Sequence, residues 1–225
     1  MRGDSRIKPI GSTEMIANAL REAICAGDIA PGSPLKQDDI ATEFSVSPTP
    51  VREALKLLVS EGLATLHHNR GCFVSDLSSA VARELMEFRA VLEPELAGWA
   101  LDHLTERDIA QARLIMAKID KTSSPIQRLQ LATEFHTAIY IRAGRPFFLE
   151  QVNRARNNLN RYWRFAWADK TFPVDTQSEH KRILDLCIAG DRNGLMKFVK
   201  QHILASGDVV LRYLKKTEAD AAGSM

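Results

Sequence analysis

The chain of 225 residues has only three cysteines, Cys25, Cys72 and Cys187, widely separated and with no C-x-x-C pairing. That usage excludes a disulfide framework or a zinc–thiolate site and suits small buried thiols in a reducing compartment. No apolar run is long enough to cross a membrane, and the opening Met1-Arg2-Gly3-Asp4-Ser5-Arg6 is too polar for a secretory signal. A cytoplasmic protein with no membrane partner is therefore expected. Internal repeats and low-complexity blocks are missing as well. Charge of one sign is not in excess, because the whole chain carries +2. Residues 1–76 hold eight Lys/Arg against ten Asp/Glu, and residues 77–225 hold 22 against 18. Any grip on phosphate in the first part must come from a few placed cations, Arg6, Lys8, Lys36, Arg52, Lys56 and Arg70, with the acids turned away and two copies cooperating. At 45% hydrophobic residues, the length suffices for two modest cores.

What is present begins with the stretch from Pro31 to Val74. Pro31-Gly32 reads as a turn, and Leu35 to Phe44 as a short helix with Ile40, Ala41 and Phe44 as its apolar stripe. Val46-Ser47-Pro48-Thr49-Pro50 turns into a second helix that buries Val51, Leu55, Leu58 and Val59 and ends at Glu61-Gly62. Strands around Ala64–Leu66 and Cys72–Val74 flank His67-His68-Asn69-Arg70-Gly71. Helix, turn, helix and a basic-tipped hairpin make a winged helix-turn-helix, whose second helix fits a DNA major groove. Upstream, Ser12 to Ala26 forms one more helix, with Ser12 as its cap and Ile16, Ala19, Leu20, Ala23 and Ile24 at helical spacing.

Ser47 is placed to cap the second helix, and the free amides and dipole at that end suit a phosphate. Thr49 and Arg52 share a face, with Lys56 a turn further on. Arg52 is the candidate for a guanine edge or a phosphate, with Lys56 and Thr49 as backbone anchors. The competing reading pairs Arg52 with Glu53 or Glu61 on a solvated face.

These residues resemble a family. Gly27-Asp28-Ile29-Ala30-Pro31-Gly32, Leu35, Val46 to Leu55, Glu61-Gly62-Leu63 and Arg70-Gly71-Cys72-Phe73-Val74 are similar, in order and spacing, to the GntR family of bacterial transcription regulators. The resemblance implies a nucleoid-associated homodimer that places two recognition helices in successive major grooves of a palindromic double-stranded operator. It also implies a wing, here with His68, Arg70 and Gly71, that reaches a minor groove. Pro48 stands where many members have a DNA-contacting Arg.

Ser75 to Ser79 is a polar connection, which sets domains at 1–76 and 77–225. Beyond it the pattern is helical throughout. Ser79–His103 carries Leu85, Phe88, Leu92, Leu96 and Trp99, and Thr105 to Asp108 caps a helix with Ile109, Ala112, Ile115, Met116 and Ile119. Pro125–Ala143, Pro146–Lys170, Thr176–Ala189 and Asp191–Leu214 follow. Six helices with short connections predict an all-α bundle, so the fold is mainly α with one small β-hairpin wing.

His136, His180 and His202 fall on three different helices of that bundle, each in an apolar setting that for His136 includes Phe135, Ile139 and Tyr140. Converging neutral imidazoles suit a divalent transition metal such as zinc or nickel, although single buried histidines are more often hydrogen-bonded core residues. Phe135-His136, Ala143-Gly144, Glu179 to Ile183, Ala189-Gly190-Asp191 and a His in the last helix are similar to the FCD ligand domain of FadR-like GntR regulators. In that family three His and one Asp commonly hold a metal, and a small carboxylate effector binds at or beside it. The Asp position, one turn before the first His, is Ala132 here. Between Lys121 and Ala168 the only acids are Glu134 and Glu150, and Glu134 points to another face. A three-His site completed by water or effector and a metal-free pocket both remain open.

Arg89 is the leading candidate for gripping a carboxylate, with an intramolecular pair to Glu93 as the competing reading. Glu93, Tyr140 and Arg161 are further effector-site candidates, and Arg154, Arg161, Tyr162 and Trp163 form a looser set. Arg145 stands where the family usually has Asn. Two rival functions are an acyl-CoA or fatty-acid-responsive regulator without metal and a metal-dependent hydrolase or lyase. The second lacks an acid near His136 to serve as a base.

Overall fold

The structure, a computed structural model, describes the backbone of residues 11–168 and 177–222. Arg6, Lys8 and the helix ends expected at Lys170 and Thr176 lie outside the described residues. The chain divides into two compact units between Asp76 and Leu77.

In the first unit, α1 (Ser12–Ala26) packs on α3 (Pro48–Ser60), with α2 (Gln37–Glu43) between them in sequence. Ile16, Ala17, Leu20 and Ile24 of α1 meet Val51, Ala54, Leu55 and Leu58 of α3 in one core. Each fully buried Ile, Leu or Val side chain there stabilises the unit by roughly 1.5–3 kcal/mol. Arg21 closes the edge of this core, donating from Nε and Nη2 to the two Glu61 carboxylate oxygens at 2.7 Å each. Leu35 belongs to a strand, not to α2: β1 (Pro34–Leu35) pairs with β3 (Gly71–Val74), which also pairs with β2 (Ala64–His67). The resulting antiparallel sheet has the order β1-β3-β2. Asn69, at φ 62, and Gly71, at φ 91, form the left-handed turn of the wing tip, which both residue types tolerate.

Three local expectations change. Val59 is 37% exposed, and Ala54 takes its place in the core. Gly11, not Ser12, holds the N-cap position of α1. Ser47 does hold that position on α3, but its hydroxyl makes no capping bond. The third residue of the helix, Pro50, has no N–H to offer it.

The second unit is a helical bundle of α4 (Ser79–Leu101), α5 (Glu106–Lys121), α6 (Pro125–Tyr140), α7 (Pro146–Ala168), α8 (Gln177–Ala189) and α9 (Arg192–Ala222). The segment expected to end α6 tightens into a 3-10 turn at Ile141–Ala143. Thr105 opens α5 with a capping box: its hydroxyl accepts from the Asp108 amide, and the Asp108 carboxylate accepts from the Thr105 amide. On α4 the inward face is Ala82, Met86, Arg89, Ala90, Glu93, Leu96 and Ala97, whereas Phe88 is 39% exposed and Leu85, Leu92 and Trp99 are half-buried. The small residues on that face let α9 approach closely. Gly98 lies against Met196, and Gly207 of α9 lies against Met86. No helix among the described residues is long and apolar enough to cross a membrane.

Candidate functional site

The first unit presents a face built by β1, α3 and the wing in which cations surround apolar side chains. Lys36, Arg52, Lys56, Arg70 and Gly71 line one surface cleft of about 420 Å³, together with the apolar side chains of Leu55, Val59 and Leu66. Ser47, Thr49 and His68 are exposed but do not line it. The N-terminal turn of α3 carries no acid, so the positive end of its dipole is not opposed from within that turn. Glu53 sits 3.0 Å from Lys56 Nζ and 3.7 Å from Arg52 Nε, and the Lys56 hydrogen bond lowers its carboxyl pKa. Such exposed pairs exchange readily with solvent and phosphate. Glu61, the other acid weighed as a partner for Arg52, is held by Arg21.

In the second unit, α6, α8 and α9 bring His136, His180 and His202 together. All three are buried, and one ligand atom from each lies within 4.8 Å of the others. The ring centroids are 5.0 to 5.3 Å apart. His202 Nδ1 is 2.6 Å from Glu179 Oε2. A carboxylate oxygen accepts, so Nδ1 is the donor in this contact and Nε2 is the ring nitrogen not engaged by it. The Nδ1 atoms of His136 and His180 are buried without a hydrogen-bond partner. Burial, reinforced by the Arg156 charge, pushes the His136 pKa well below its ordinary value. Burial, with help from His202, takes His180 to about 3. Both are neutral imidazoles at neutral pH, the form that binds metal.

These rings open onto a cavity of about 70 Å³ that is also lined by Arg89, Arg128, Arg156, Ala132, Asn160 and Ser206. Arg89 makes the intramolecular pair with Glu93 and also faces the cavity, its Nε donating to Glu93 Oε1 at 2.6 Å. Glu93 is fully buried behind the wall and also accepts from Arg156 Nε at 3.0 Å, from Arg156 Nη2, and from the Tyr140 hydroxyl at 3.2 Å. Burial alone would raise the Glu93 pKa, but the Arg156 and Arg89 charges pull it down to about 2.

Glu93 and Tyr140 therefore support the wall and are not among the residues lining the cavity. Arg161 is buried with its guanidinium 5.6 Å from the Tyr162 ring and does not line it either. Arg154 is exposed and bonded to Glu150, while Arg145 sits over the Trp99 ring at 5.3 Å. Ala132 does face the cavity, and Glu134 is exposed.

Arg156, Arg128 and Glu179 were missed from the sequence. Arg156 keeps helical register with Val152, Leu159 and Trp163, and Arg128 with Ala132 and His136, so an Arg inside an apolar stripe was the available signal. Nothing in the sequence marks Glu179 as the partner of a histidine 23 residues away.

The model of the gntR family of bacterial regulatory proteins matches residues 12–74, and that of the FCD domain matches residues 84–205. The transcriptional repressor RspR of Escherichia coli K12 is 32% identical over 213 residues, covering 92% of each chain. The Nta operon transcriptional regulator of Aminobacter aminovorans is 28% identical over 188 residues, 82% of this chain and 88% of that protein. Among solved structures, McbR/YncC of E. coli superposes with a TM-score of 0.77 at 20% identity, covering 90% of this chain and 98% of that one, a likeness of fold. The chain thus belongs to the GntR family of bacterial regulatory proteins, a winged helix-turn-helix followed by an FCD domain, and is a DNA-binding transcriptional regulator and not an enzyme.

Proposed function

We propose that the protein acts on the bacterial nucleoid, in the cytoplasm, as a homodimer that binds a palindromic operator and senses a small carboxylate through its FCD domain. Residues 1–76 would read DNA and residues 77–225 would dimerise and bind the effector. The observation that carries the sensing half is the meeting of three buried histidines with three arginines around one small cavity.

The donor set fits a divalent transition metal such as zinc or nickel. Tetrahedral bonds of about 2.1 Å place donors roughly 3.4 Å apart, which small ring movements reach from this geometry. His136, His180 and His202 would hold the ion, and Glu179 would keep His202 turned with Nε2 inward. The ion's chemistry there would be that of a Lewis-acid anchor for a carboxylate oxygen. Arg89 and Arg156 receive the rest of the anion, with Glu93 fixing both guanidiniums. The cavity is far smaller than the roughly 300–1,000 Å³ of pockets for drug-sized ligands, which disfavours an acyl-CoA effector.

On DNA, Arg52 would reach a base edge or phosphate. Lys36, Lys56 and Arg70 would neutralise phosphates, and Ser47, Thr49, His68 and Gly71 would set the close approach. The effector changes operator affinity only as far as it favours one dimer geometry over another.

Elemental analysis of purified wild type and of His180→Ala tests the core of this reading. About one equivalent of zinc or nickel per chain, lost in the variant, is the expected result. Protein that neither carries a metal nor takes one up from solution would overturn it.

A further inference from the structure

The cleft between α3 and the wing has an apolar floor that contact with DNA does not explain. Strand register shows how the floor arises. Leu35, Cys72 and Leu66 are partners across β1, β3 and β2, so their side chains share one face of the sheet. Leu35 and Cys72 are buried, whereas Leu66 is 69% exposed. The same happens along one turn of α3, where Leu55 is buried and Val59, four residues on, is 37% exposed. Both apolar rows run out of the core and line the cleft together. Duplex DNA offers phosphates and polar base edges, with the thymine methyl as the one apolar group in its major groove. A volume of about 420 Å³ lies instead within the roughly 300–1,000 Å³ of sites that hold organic ligands.

Cations ring this floor. Lys36, Arg52, Lys56 and Arg70 line the cleft, and no acid is among its described lining residues. Two carboxylates reach these cations from outside the cleft. Glu53 lies 3.0 Å from Lys56 and 3.7 Å from Arg52, and Asp39 lies 3.8 Å from Lys36. All three pairs are exposed, so a ligand anion can exchange with them at little cost. Arg70, in the wing turn, has no carboxylate partner among the described residues.

We propose that this cleft binds a flat aryl carboxylate and that its occupant excludes DNA. The rings lie on Leu55, Val59 and Leu66, and the carboxylate is received by Arg70 and Arg52. An aromatic body suits the site better than a flexible chain, because guanidiniums stack on ring faces and a rigid body has less freedom to lose. Such an acid is too large for the cavity of about 70 Å³ among the histidines, so the two sites take different ligands. The exclusion of DNA rests on the reading above that these cations meet phosphates; the binding of the acid does not.

The test is calorimetric titration of 2-naphthoate into the full-length protein, with displacement of a short labelled duplex at low salt read in parallel by anisotropy. About one equivalent per chain is expected, with the duplex released as the site fills. Leu66→Gln is expected to weaken 2-naphthoate roughly tenfold and leave duplex affinity unchanged, because this side chain meets the rings and no phosphate. A thermal melt checks its fold, and Val59→Gln gives a second reading of the same floor. Arg70→Gln is expected to weaken the acid likewise, and His180→Ala to leave it unchanged. The alcohol 2-naphthalenemethanol, with the same rings and no charge, is expected to bind roughly tenfold more weakly. Wild type that takes up no 2-naphthoate would overturn the site. Uptake lost in His180→Ala and untouched by Leu66→Gln would also overturn it, and would place the acid in the FCD domain. Equal binding of the alcohol would remove the ionic grip. Binding with the duplex still held would overturn the exclusion of DNA and leave the site standing. Duplex affinity unchanged in Arg70→Gln and Lys56→Ala would count against the DNA reading of these cations and not against the site.

Discussion

Glu93 is the one acid among the described buried residues of the FCD domain. Its carboxylate is fully buried and is shared by Arg89, Arg156 and Tyr140. Removing its charge strands two guanidiniums in the interior, so Glu93→Gln is expected to lose about 3–5 kcal/mol at neutral pH in urea unfolding. The pH dependence has a definite direction. The folded carboxyl lies at about 2 against an ordinary 4.5, so its contribution is complete above about 4.5 and is lost as the pH falls toward 2. The gap between wild type and variant should close across that window, and a gap that holds down to about pH 3 would show that the charge is not what matters. At this scale the sequence was partly legible. The i, i+4 spacing of Arg89 and Glu93 offered their pairing as one of two readings, and the three histidines stood out by chemistry alone. Arg156 did not, because a long cation in an apolar stripe reads equally well as a side chain reaching for solvent.

Helix boundaries were legible wherever capping chemistry is local. The Thr105/Asp108 box formed as the residues suggest, and Thr105→Ala is expected to cost about 1 kcal/mol, read by chemical denaturation. Ser47 makes no hydroxyl cap, and Pro50 removes one of the two amides that could have reached it, an effect of neighbours that a single-residue preference does not carry. The two-residue β1 escaped notice because a strand that short has no period, and its identity comes from β3 in space. On α4 the large apolar residues suggested one face, but the helix turns its small residues and its Arg–Glu pair inward. The reason is the close approach of α9, which yields a contrast between two glycines. A methyl on Gly98 meets the flexible end of Met196, with Sδ at 2.9 Å, whereas a methyl on Gly207 meets Met86 from Cβ outward, with Cβ at 3.3 Å. Gly98→Ala is expected to be near neutral, since a helix propensity gain of about 1 kcal/mol offsets a thioether rotation. Gly207→Ala is expected to destabilise by about 1–3 kcal/mol, because the Met86 Cβ cannot move without its helix. Thermal melts of the two variants decide the order.

For the whole molecule, the order of a winged helix followed by a helical bundle was legible because each half carries its own motif. How the halves respond to each other was not, since no residue pattern encodes it. The charge count has a bearing on DNA binding. With eight basic against ten acidic residues in 1–76, the proposed DNA contacts rest on the few cations gathered along the α3–wing cleft. Lys56→Ala is expected to weaken operator binding uniformly and lower the salt slope by about one unit, whereas Arg52→Ala should relax specificity by about 1–3 kcal/mol at one base position. Gel-shift titrations over a range of salt separate the two. Glu93 has a further consequence when seen as a joint. One carboxylate ties α4 through Arg89, α7 through Arg156 and α6 through Tyr140. No ligand can tug Arg156 without loading the other two helices through the same knot. The first of these, α4, begins five residues after the last strand of the wing ends. Along the backbone, the residues between Val74 and Ser79 are all that joins that helix to the wing.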